Sequence, residues 1–69
     1  MNKNMSQKKK INELIQKYER MSNLWISELA SQLEEEREPS HMFYVNPDVA
    51  TTNITNFKSM KRDLEELLK

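Results

Sequence analysis

Not one of the 69 residues is glycine, and the only two prolines stand at positions 39 and 47. With so few helix breakers, and with Glu, Lys and Leu prominent, the chain has a helical composition. The segment KKKINELIQKYERMSNLWISELASQLEEE, from Lys8 to Glu36, contains neither breaker. Its apolar residues fall at Ile11, Leu14, Ile15, Tyr18, Met21, Leu24, Trp25, Ile26, Leu29, Ala30 and Leu33. Those steps of three and four trace one broad stripe, the mark of an amphipathic helix. The pattern predicts a first helix over about 7–37, preceded by a flexible N-terminus at 1–6. Either Asn4, with Gln7 three residues on, or Ser6 could cap it.

Pro39 ends this helix and pushes Glu38 toward extended geometry. PSHMFYV then reads as a short extended segment inside a connection at 38–46. Asn46 suits an N-cap, Pro47 the first helical position, and Asp48 the positive helix end. A turn over 46–49, with the helix starting near Asn53, is the alternative. The stripe Ala50, Ile54, Phe57, Met60, Leu64, Leu67 and Leu68 runs across both starts and favours the earlier, giving a second helix over about 47–68. The connection itself is apolar at Met42, Phe43, Tyr44 and Val45. These residues are expected to fold back near Leu29 and Leu33 as a lid on the hairpin mouth.

The expected fold is therefore all-α: one helical-hairpin domain over 7–69, with a long first helix and a shorter second one. A chain this short buries little surface, and small folds often add disulfides, a metal or a partner subunit. Cysteine is absent, so disulfides and thiolate metal sites are excluded. On this reading the second helix covers only part of the first. It leaves Ile11, Leu14, Ile15 and Tyr18 for a second copy in a four-helix bundle. Its Phe57, Met60, Leu64 and Leu67 are expected to pack on Trp25 and Leu29.

Net charge is zero but unevenly spread. Residues 1–20 hold Lys3, Lys8, Lys9, Lys10, Lys17 and Arg20 against Glu13 and Glu19, a surplus of +4. Residues 21–38 hold Glu28, Glu34, Glu35, Glu36 and Glu38 against Arg37, a surplus of −4. A helix charged this way opposes its own macrodipole and complements an antiparallel copy of itself. An antiparallel dimeric bundle is the expected assembly.

Little in the chain supports catalysis. His41 is the only histidine, and with Glu38 it forms E-x-x-H, the spacing of carboxylate-bridged metal bundles. Pro39 lies between them and separates their faces, so a solvent-facing loop histidine is the expectation. Ser40 and His41 are adjacent, with no orienting third group for nucleophile–base chemistry. Without glycine there is no phosphate-cradling loop of the usual kind. No enzyme activity, cofactor or metal is expected.

The function read from the sequence is a small interaction module, regulator or assembly subunit that binds a larger protein through its helices. The candidate partner-binding residues are Ile11, Ile15, Tyr18, Trp25, Phe43 and Tyr44, because aromatic and large apolar side chains dominate binding hot spots. One alternative is a nucleic-acid-associated regulator using Lys8, Lys9, Lys10 and Arg20, although Glu13 and Glu19 dilute that patch. The other is an obligate subunit of a hetero-oligomeric helical complex. No apolar run is long enough to span a membrane and no export signal is evident, so a cytoplasmic location is expected.

Overall fold

The computed structural model describes residues 3–69. It is a helical hairpin of two elements, α1 (Lys3–Glu34) and α2 (Pro47–Leu67), with no strand among the described residues. The molecule is a rod measuring 54 × 17 × 15 Å. At about 1.5 Å per residue, α1 alone accounts for roughly 48 Å of that length.

The helix boundaries differ from expectation at both ends of α1. It already includes Lys3 to Ser6, so Asn4 and Ser6 lie within the helix rather than capping a start at 7. Nothing in that stretch breaks a helix, so propagation continues upstream at little cost. Met1 and Asn2, part of the expected flexible N-terminus, lie outside the described residues. At the other end, α1 stops at Glu34 instead of reaching Arg37. Glu36 adopts a left-handed φ of 52°, the one non-glycine residue with positive φ among those described. The Arg37 N–H donates to the Gln32 carbonyl at 3.1 Å, and the Glu36 N–H to that of Leu33 at 3.3 Å. This is a Schellman stop, built on glutamate where glycine is usual. The helix therefore ends by a backbone device before Pro39 can act.

The connection is correspondingly longer, residues 35–46, and it is not extended. Two turns follow one another, with the His41 N–H donating to the Glu38 carbonyl (2.8 Å) and the Tyr44 N–H to that of His41 (3.1 Å). α2 starts at Pro47. The Asn46 side chain accepts from the N–H groups of Asp48 (2.9 Å) and Val49 (3.4 Å), satisfying two donors of the first turn.

The two helices meet along a single seam. On α1 its members are Ile11, Ile15, Tyr18, Ser22, Trp25, Leu29 and Gln32. On α2 they are Ala50, Ile54, Phe57, Lys61 and Leu64, with Leu68 just beyond. All of these are buried or half-buried. The steps alternate four and three, which is the heptad spacing of an antiparallel coiled coil. The Tyr18 and Phe57 rings stack with centroids 5.9 Å apart at 21°. Lys61 reaches the Glu19 carboxylate at 3.6 Å. These contacts fix the register and correct two expectations. Phe57 lies against Tyr18, whereas Trp25 and Leu29 are level with fully buried Ala50. α2 also reaches far enough to half-cover Ile11, Ile15 and Tyr18, so only the first turns of α1 overhang.

Three polar residues occupy this seam, and each is satisfied. The Ser22 hydroxyl donates to the Tyr18 carbonyl (2.9 Å), and Lys61 pairs with Glu19. Gln32, only 5% exposed, forms a two-pronged clamp on one residue of the connection. Its amide nitrogen donates to the Val45 carbonyl (2.8 Å) and its amide oxygen accepts from the Val45 N–H (2.6 Å).

Candidate functional site: an apolar flank

Heptad geometry gives a two-helix rod two flanks beside its seam. Glu19 and Lys61 mark one of them. That flank also carries Asn12, Thr51, Lys58 and Glu65, so it is largely polar, with Ile26 and Leu33 as its apolar members.

The opposite flank is different. On α1 it follows Lys10, Leu14, Lys17, Met21, Leu24 and Glu28, again in alternating steps of four and three. It is a second heptad seam, and no helix of the hairpin lies on it. Across the rod, α2 contributes Val49, Met60 and Leu67 to the same flank, with Asn53, Asn56 and Asp63 between them. Leu14 and Met60 line one shallow apolar depression together with Tyr18, Asp63 and Leu64, which joins the two helices' contributions into one surface. Leu24 is 66% exposed and Leu67 69% exposed. Spacing on this flank is the sequence signal that marks it out, but it is hidden within the broad stripe.

Among the described residues, no large side chain is fully buried. The accessible surface is 5795 Å², against about 4,600 Å² for a compact monomeric protein of this mass. The hairpin thus exposes more than its size requires, and Leu14, Leu24, Val49, Met60 and Leu67 of the apolar flank are among its exposed large apolar residues.

The candidate residues named from sequence fall into two groups. Ile11, Ile15, Tyr18 and Trp25 belong to the inner seam and are half-covered by α2. Phe43 and Tyr44 lie in the connection. The lid expectation holds for its second half, Tyr44 and Val45, which are half-buried, and is corrected for its first, because Met42 is 85% exposed and Phe43 65% exposed, and Leu33 is exposed too. The Gln32 clamp and half-buried Val45 close the hairpin mouth. Arg37 holds the turn from the other side, bridging Glu28 (3.5 Å) and Glu35 and donating to the Phe43 carbonyl (3.4 Å). The Phe43 N–H donates to His41 Nδ1 at 3.0 Å. The connection is therefore a braced turn that displays Met42 and Phe43 to solvent.

Lys8, Lys9, Lys10 and Arg20 are all exposed on the first half of α1. Lys10, Lys17 and Arg20 line one depression together with Glu13, so the basic patch includes an acid. Glu38 and His41 share a turn through their backbones rather than a helical face. Among the described residues, no three His, Asp or Glu side chains converge as metal ligands would. Nor is any described helix long and apolar enough to cross a membrane.

No known protein family, curated protein or solved structure matches this chain.

Proposed function

We propose that this chain is a small non-enzymatic interaction module of the cytoplasm, a regulator or assembly subunit that works by laying its helical surfaces against another polypeptide. The observation that supports this reading is the apolar flank, a heptad-spaced surface spanning both helices and facing solvent. Burying such a surface yields about 25 cal/mol per Å², which makes polypeptide docking its natural use. A larger protein, a copy of the chain, or the other members of a hetero-oligomeric helical complex could all supply the covering helix. Nucleic-acid binding through Lys8, Lys9, Lys10 and Arg20 is less favoured, because Glu13 within the cluster repels phosphate.

The test is site-specific photo-crosslinking in the cell of origin. A photo-reactive residue at Met60, on the flank, is expected to capture a polypeptide. The same residue at Thr52, on the outer face of α2, is expected to capture none. Capture at neither site removes the interaction reading.

A further inference from the structure

The occupant of the apolar flank can be identified from the symmetry of the flank itself. Resting on the interaction reading above, we infer that it is a second copy of this chain, bound antiparallel with the two connections at opposite ends. The pattern along α1 is a palindrome centred on the level of Glu19. Leu14 and Leu24 are equally far from that level, and so are Lys10 and Glu28.

The register of the hairpin carries the same level across to α2. Tyr18 stacks on Phe57 and Glu19 pairs with Lys61, so Glu19 is level with the stretch around Lys58. Val49 and Leu67 are equally far from Lys58. One two-fold axis, perpendicular to the rod at this level, therefore serves both helices. It lays α1 on α1 and α2 on α2. Leu14 then meets Leu24 of the second copy, Val49 meets its Leu67, and Lys10 meets its Glu28, while the lysine stem of Lys17 lies on its Met21 and Met60 lies on its Asn56.

Charge selects this orientation over the parallel one. α1 has no acidic residue in its first turn and no basic residue in its last, so each end opposes the helix dipole. Among the described residues, Lys8, Lys9, Lys10 and Lys17 form no salt bridge. The antiparallel arrangement brings this basic end over the acidic end of the second copy, whereas a parallel one gathers the two basic ends at one end of the bundle.

Two measurements on the full chain test the inference. Sedimentation equilibrium at tens of micromolar is expected to give twice the 8.3 kDa chain mass. Leu24→Lys, at a site exposed in the single hairpin, is expected to return the chain-mass species while helical circular dichroism persists. The absence of cysteine allows a direct map of orientation. An oxidised mixture of Lys10→Cys and Glu28→Cys chains is expected to form the mixed disulfide. Lys10→Cys alone should not cross-link, because its own copies lie about 27 Å apart along the rod. A chain-mass species for the unaltered protein, or disulfides between like variants in place of the mixed one, overturns the inference. If the Met60 photo-crosslink captures only a different protein, the self-pairing falls and the interaction reading stands.

Discussion

The inner seam and the apolar flank share one spacing but have opposite chemistry. The seam that the two helices close against each other contains Ser22, Gln32 and Lys61, together with the bulky Tyr18, Trp25 and Phe57. The open flank holds Leu14, Met21, Leu24, Val49, Met60 and Leu67 among the polar Lys10, Lys17, Glu28, Asn53, Asn56 and Asp63, with no aromatic residue. Hydrophobicity alone does not distinguish them, so it cannot be what selects the pairing within the hairpin. Specificity does. Satisfied polar residues within a heptad seam fix register at some cost in stability, and here Lys61 reaches Glu19 across the two helices and Gln32 reaches Val45 only in the closed hairpin, while Ser22 bonds within α1. Aliphatic residues on the flank impose no such demand. A surface of that kind suits a joint made after folding.

The contrast is tested most strongly at neighbouring positions. Trp25→Ala, in the seam, should lower the stability of the hairpin by about 3 kcal/mol, the lower end of the usual range because the indole is only half-buried. Leu24→Ala, one residue away on the flank, should change the stability of the single hairpin by no more than about 0.5 kcal/mol. Urea titration at low micromolar concentration measures both. Equal losses at the two sites would erase the distinction between seam and flank.

Gln32→Ala comes next. It deletes two hydrogen bonds and strands the Val45 N–H and carbonyl in a half-buried place. The expected loss is about 2 kcal/mol. Hydrogen exchange should show the Val45 amide losing protection while the mid-helix amides near Tyr18 keep theirs. Uniform loss throughout would mean that the clamp supports the whole rod rather than its mouth.

A smaller effect of opposite sign is expected at Glu36. Left-handed backbone costs roughly 1–2 kcal/mol in a residue with a Cβ, and glycine removes that cost while adding freedom to the unfolded chain. Glu36→Gly should therefore stabilise the hairpin by about 1 kcal/mol, read as a higher urea midpoint at unchanged slope. A lower midpoint would show that the side chain at this stop matters more than its backbone.

What was legible in the sequence divides along physical lines. Both helices and the start at Pro47 depend on local chemistry, and the order of residues carries local chemistry openly. The stop at Glu34 was hidden because its usual signal is glycine, and this chain puts glutamate there. Gln32 was hidden because its partner, Val45, is brought close only by the completed hairpin. The seam and the flank were merged for a related reason. Leu14 beside Ile15, and Leu24 beside Trp25, place two heptad patterns in one stripe, and only the path of α2 separates them. Phe43 was misread because apolar residues in a connection suggest burial, whereas this turn is held by backbone bonds that leave the ring outside.

The smallest expected effect concerns the acid end of the connection. The hydrogen bond from the Arg37 guanidinium is the main reason the Glu35 carboxyl is held below its ordinary range, and the attraction of the Arg37 charge adds to it. A carboxyl whose pKa is lower in the folded than in the unfolded chain binds protons more weakly when folded. Its contribution to stability is complete above the unfolded value and disappears as pH falls through the lowered folded one. Glu35 is exposed, and exposed pairs contribute little. The better readout is therefore the titration itself. Carbon-detected NMR should show Glu35 protonating below the ordinary glutamate range. Arg37→Leu should bring Glu35 back up toward its ordinary value. The same substitution removes the donor to the Phe43 carbonyl, so a simultaneous shift of the Phe43 ring resonances is expected. If Glu35 rises while Phe43 stays unchanged, the turn is held by the Gln32 clamp alone, and Arg37 acts only on its neighbouring carboxylates.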